Sequence, residues 1–189
     1  MNRMIYLLIG CVFLSCCGHK RTADTTAIPV AEVKDASSVP EFNADSAYAF
    51  VERQVRFGPR VPNTPAHKAC GGYLASELAR FGAKLYVQEA MLTAYNGDRL
   101  QASNIIGVFN PEKTRRVMLF AHWDSRPYAD QDADPASHRR PIDGADDGAS
   151  GVGILLEIAR QIGMTGFEGG VDILFFDAED YGVPEFLKE

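Results

Sequence analysis

The sequence predicts an α/β domain on a mixed, mostly parallel sheet with helices on both faces, and three observations carry that reading. Two apolar runs, within residues 116–122 and 171–176, each end in an acidic cluster, as buried strands delivering polar groups to a sheet edge do. Residues 151–162 between them have helical spacing, with Val152, Leu155, Leu156, Ala159 and Ile162 on one side. Strand, helix, strand in that order is a right-handed crossover, which lays the second strand parallel to the first. Both acidic clusters then emerge at the same carboxyl edge of the sheet.

The elements follow in order. Asn43-Ala44-Asp45-Ser46 can cap a helix through Ala47, Phe50, Val51, Gln54 and Val55, ended by Gly58-Pro59. Thr64 followed by Pro65 opens a second helix through Cys70, Leu74 and Leu78, which stops at Gly82. Alternating stretches over residues 84–94 and 100–108 flank Tyr95-Asn96-Gly97-Asp98, a hairpin signal that predicts an antiparallel pair. The run at 116–122 is apolar from Val117 to Ala121, so a strand buried on both faces is expected there. The aspartate-rich stretch over 125–143 is too long for an ordinary connection and is expected to be functional or mobile. Gly166, Gly169 and Gly170 mark the return to the strand over 171–176.

At 189 residues and 46% hydrophobic, the chain can bury one sizeable core, and a single domain over 41–189 is expected. A net charge of −6 without a Lys/Arg cluster excludes a nucleic-acid partner, which would need a basic stripe. Residues 1–17 read as a lipoprotein-type signal peptide: Arg3, an apolar run over 5–14, then Ser15-Cys16-Cys17-Gly18. Cys16 or Cys17 would carry the lipid, and an ordinary cleaved signal peptide is the other reading. Residues 18–40 read as a flexible tether. Export to the periplasm follows, with membrane contact through the lipid anchor only. Cys70 then remains alone in the domain and is expected to be a small buried hydrophobe.

The candidate chemistry sits at the strand ends. His122 and Asp124 are two apart, so their side chains can share one side while Trp123 takes the other. Asp146-Asp147 opens the central helix, where Asp146 can equally serve as a cap. Adjacent carboxylates repel, which favours a cation bound by one of them. Glu179-Asp180 repeats the arrangement, and the chemical division of labour is one residue as metal ligand and the other as a general acid/base whose pKa burial would raise. Asp130, Asp132 and Asp134 alternate like a calcium loop, but Pro135 and Pro141 stand where Gly and Glu are required, so a solvated loop is expected. No Gly-x-Ser-x-Gly elbow occurs.

Ala121-His122-Trp123-Asp124-Ser125-Arg126, the segment from Gly144 to Gly151 and the segment from Phe175 to Gly182 resemble three successive motifs of the zinc aminopeptidase and glutaminyl cyclase superfamily. The likeness extends to Phe57-Gly58-Pro59-Arg60-Val61-Pro62 and Asn104-Ile105-Ile106. Residues 126–130 and the Glu179-Asp180 pair look more like bacterial glutaminyl cyclases than like the peptidases. The resemblance implies that Asp147 and Asp180 bind zinc and that Glu179 is the acid/base. In two-zinc peptidases the counterpart of His122 holds a second metal and that of Asp124 orients the site; in the cyclases one zinc suffices. The substrate implied is a peptide or protein N-terminus, with N-terminal glutamine cyclised to pyroglutamate and ammonia released. An aminopeptidase using the same residues, or an inactive lipid-anchored peptide-binding protein, is the alternative. The superfamily also supplies a zinc-binding His from its C-terminal part. His19, His67 and His138 do not match it, so a partial sequence is expected.

Overall fold

The computed structural model describes residues 39–188. The signal-peptide reading and all but the last two residues of the tether lie outside the described residues. The helices are α1 (Ala44–Val55), α2 (Pro65–Arg80) and α3 (Ser150–Thr165), and the strands β1 (Lys84–Thr93), β2 (Arg99–Phe109), β3 (Arg116–His122) and β4 (Gly170–Phe176).

Local chemistry sets most boundaries. The Asn43 side chain accepts the Ser46 N–H at 2.8 Å to start α1, and the Thr64 hydroxyl accepts the His67 N–H at 3.2 Å to start α2. The helix α3 ends at Gly166, in the left-handed region at φ 66°. The strands β1 and β2 pair antiparallel through ten residue pairs across the Tyr95–Asp98 turn, as expected.

The sheet order is β1-β2-β4-β3, with β2–β4 antiparallel and β3–β4 parallel. The mixed α/β sheet is therefore present, but among the described residues only one ladder is parallel. The two helices that pack on the sheet share a face: α2 meets β2 where Leu78 crowds Gly107, and α3 meets β3 where Gly151 crowds Ala121. By register, Gly107 and Ala121 stand on the same side, with Ile173 and Phe175 of β4. The core lies there, from Cys70, Leu74 and Leu78 through Ile105 to Val152, Leu156, Ile173 and Phe175. Each fully buried aliphatic or aromatic side chain stabilises the fold by about 1.5–3 kcal/mol, so this one face holds the helices to the sheet.

The expectation that β3 is buried on both faces does not hold. It is an edge strand among the described residues, with Val117 56%, Met118 60% and Phe120 65% exposed. The central strand β4, between β2 and β3, is buried on the helix side through Val171, Ile173 and Phe175 and half-buried on the other through Asp172, Leu174 and Phe176. An apolar run records that a strand is hydrophobic, not how many neighbours it has.

Candidate active site

The ends of β3 and β4 and the turn before α3 bring the predicted residues together. Backbone pairing runs past β3, with Trp123 N–H donating to the Phe176 carbonyl at 3.0 Å, so the strand-like alternation holds to Asp124. Trp123 therefore turns into the core, 1% exposed, where its indole N–H donates to the Ser103 carbonyl at 3.2 Å. His122 and Asp124 face the edge together, with Nδ1 and Oδ1 3.5 Å apart.

Asp124 is fully buried. Its Oδ1 accepts the Glu179 N–H at 3.2 Å and its Oδ2 the Asp180 N–H at 3.1 Å. It therefore holds the acidic loop after β4 by the backbone and touches the site through His122. His122 in turn places Nε2 2.8 Å from Asp147 Oδ1. Its pKa is raised to about 9, chiefly by the adjoining Asp124 carboxylate and then by Asp147, against the opposing effect of burial.

The turn carrying Asp146 and Asp147 is not regular helix. Asp147 is extended (φ −141°, ψ 138°) and the flanking Gly144 and Gly148 have φ 58° and 90°. A Cβ at Gly148 would lie 2.9 Å from the Asp124 carbonyl, and one at Gly144 2.8 Å from the Arg60 guanidinium. Glycine at both places lets the turn press against the end of β3. The Asp146 carboxylate accepts the Ser150 hydroxyl at 3.1 Å and caps no backbone N–H of α3.

Asp180 is the half-hidden carboxylate of the loop. Burial first, then the neighbouring Asp147 charge, raise its pKa to about 6, against Arg126. Glu179 differs from its expected burial: its side chain is 64% exposed, with Oε2 3.8 Å from His122 Nδ1. Asp124 hangs the loop so that the side chain after it points outward.

The donor set fits zinc in kind. Imidazole nitrogen and carboxylate oxygen are ordinary zinc ligands, and Asp180 Oδ2 and His122 Nδ1 are buried without a hydrogen-bond partner. Asp147 and Asp180 carry like charges close enough to perturb each other, which a divalent cation would relieve. Among the described residues, no three His, Cys, Asp or Glu side chains are arranged to hold a metal by themselves. His122 Nε2 and Asp147 Oδ1 are engaged with each other, so Asp180 Oδ2 and His122 Nδ1 are the buried donor atoms left without a partner.

Four supporting residues went unread in the sequence. Arg60 is fully buried, with its guanidinium lowered in pKa by that burial, and donates to the carbonyls of Trp123, Asp143 and Gly144. It pins the end of β3 to the acidic turn. Arg126 forms a two-point ion pair with Asp130 at 2.7 and 2.6 Å and reaches the Asp180 carbonyl at 3.3 Å. Asp130 is accordingly 5% exposed and not part of a solvated loop, whereas Asp132 and Asp134 cap turns there. His67 lies in the first turn of α2 and bonds Asp177 through Nε2 at 2.8 Å. Arg60, Arg126 and Asp130 belonged to quoted segments without these roles, and nothing local links His67 to Asp177. A cavity of about 510 Å³ between α2 and the β1–β2 pair is lined by none of the edge residues.

Residues 104–184 match the profile described as Peptidase family M28. The chain is 72% identical to a structure described as a Zn-dependent exopeptidase from Parabacteroides distasonis, with TM-score 0.78, covering 79% of this chain and 51% of that one. It is 73% identical to the glutaminyl cyclase of Tannerella forsythia, with TM-score 0.78, covering 79% of this chain and 52% of that one. It is 24% identical, over 67% of its length and 39% of the relative, to the alkaline phosphatase isozyme conversion protein of Escherichia coli K12. The chain spans about half the length of the solved structures it matches. His122, Asp124, Asp147, Glu179 and Asp180 all lie inside the span that is similar to peptidase family M28, and the fold around them is similar to that of a glutaminyl cyclase and of a Zn-dependent exopeptidase.

Proposed function

We propose that the full-length protein is a zinc-dependent glutaminyl-peptide cyclotransferase, converting N-terminal glutamine of peptides or proteins to pyroglutamate with release of ammonia. The observation that carries this is the 73% identity to the Tannerella forsythia glutaminyl cyclase over 79% of the chain. Asp147 and Asp180 would hold the zinc, with His122 available to a second ion in a two-metal enzyme. A bound zinc supplies Lewis-acid polarisation of the substrate's γ-amide carbonyl.

The chain's own groups do the rest. Glu179 reaches outward over the edge, where its carboxylate takes a proton from the substrate α-amine and returns it to the departing nitrogen. The α-nitrogen bonds to the γ-carbonyl carbon, the original C–NH₂ bond breaks, and ammonia leaves. Asp124 keeps Glu179 and Asp180 in register by holding both backbone N–H groups.

An aminopeptidase is the second reading, favoured by the 72% identity to the Parabacteroides distasonis exopeptidase. There Glu179 would take its proton from the attacking water, and a free amino acid would be the product. The test is ammonia release from a glutaminyl peptide by the full-length protein, with and without a zinc chelator. Chelator-sensitive release with a cyclised product is expected. A freed amino acid without cyclisation would establish the peptidase instead, and no turnover of either kind would refute both enzyme readings.

Export and lipid anchoring through Cys16 or Cys17 belong to the same proposal, supported by the leader sequence. Palmitate labelling that survives replacement of both cysteines would overturn it.

A further inference from the structure

Ala178 has φ 59°, a left-handed backbone conformation costly to a residue with a side chain, immediately before Glu179 and Asp180. Something must hold the chain there, and the buried Asp177 carboxylate does so. Its Oδ1 accepts the Ala178 N–H at 2.8 Å and its Oδ2 accepts the Ser103 N–H at 2.6 Å, while the Asp177 N–H donates to Asn104 Oδ1 at 3.0 Å. The remaining side of that carboxylate faces His67, whose Nε2 lies 2.8 and 2.9 Å from its two oxygens. A carboxylate only accepts here, so Nε2 carries the proton.

His67 is itself fixed. Its ring stacks on Trp123 with centroids 4.3 Å apart and planes 17° from parallel. The two partners are 7% and 0% exposed by side chain, so water does not compete for the bond. Each of the N–H groups at 178, 179 and 180 is therefore bound by a buried carboxylate, Asp177 holding the first and Asp124 the other two.

We infer that His67 is a positioning residue for Glu179 and Asp180: its Nε2–H fixes the Asp177 carboxylate, which holds the left-handed turn at Ala178 that aims the next two side chains. The inference rests on the zinc cyclase reading for its kinetic consequences only. The anchor can be read without them.

The near-isosteric pair His67→Gln and His67→Met separates the donor from the bulk. In zinc-free full-length protein, amide exchange at residues 178–180 should quicken about tenfold in H67M and stay close to wild type in H67Q. Zinc affinity by chelator competition should fall about 10-fold or more in H67M alone. Its kcat on a glutaminyl peptide should fall similarly, with KM changed less than about threefold. Should H67M fail to fold, Asp177→Asn, which weakens the same anchor from the other side, is expected to show the same losses. Unchanged amide exchange, or equal losses in H67M and H67Q, would overturn the positioning role whatever zinc does. Faster exchange in H67M, with a wild type that binds no zinc, would support the anchor while refuting the zinc reading of the site.

Discussion

Replacing Asp124 with Asn should cost the fold more than an ordinary polar substitution. Its carboxylate is fully buried and accepts two backbone N–H groups, from Glu179 at 3.2 Å and Asp180 at 3.1 Å. Hydrogen bonds to a charged acceptor contribute about 1.5–3 kcal/mol each, so the pair is worth about 3–6 kcal/mol. Asparagine keeps one acceptor but turns an amide N–H toward the other donor, which leaves a loss of about 2–4 kcal/mol. The nearby His122 and the buried Arg60 guanidinium also lose a compensating charge, which places the cost toward the upper end. Urea unfolding of the chelator-treated full-length protein measures this directly. With a slope of about 2 kcal/mol/M, the midpoint should drop by about 1–2 M. A shift below about 0.3 M at unchanged slope would show that these bonds do not hold the loop.

Two more outcomes follow from the same edge. Arg126, through its hydrogen bonds to Asp130, holds that carboxyl well below the usual carboxylate range. Because its folded pKa lies below its unfolded one, Asp130 contributes stability that is complete above about pH 4 and is lost as pH falls further. Asp130→Asn should therefore flatten the acid limb of stability against pH, and an unchanged limb would refute the pairing. Glu179→Gln should lower kcat by about 10²–10⁴-fold while zinc affinity stays near wild type. Substantial remaining turnover would remove Glu179 from the acid/base role.

Much of this edge was legible because its signals are local. The caps of α1 and α2, the Asn96-Gly97 turn and the spacing of α3 are each written within a few residues, and each was read to within three residues of where the structure puts it. The two acidic clusters could also be placed at one sheet edge, since each ends an apolar run and a crossover joins them. What escaped was the pairing of side chains and strands. His67 and Asp177 are 110 residues apart, and neither lies in a pattern that points to the other. Asp130 looked solvated because its neighbours are polar, yet the ion pair with Arg126 buries it. The edge position of β3 among the described residues was hidden for a related reason: β4, which follows it in sequence, pairs between β2 and β3 in space.

The three N–H groups at 178–180 engage Asp177 and Asp124, and these anchors take nothing from the side chains of Ala178, Glu179 or Asp180. Any residue but proline can present such a donor. Shape and reactivity are thereby inherited separately at this edge. A lineage can exchange the groups displayed on the loop while the backbone stays where its remote carboxylates hold it. One scaffold can then diversify its chemistry one side chain at a time, without rebuilding the fold beneath.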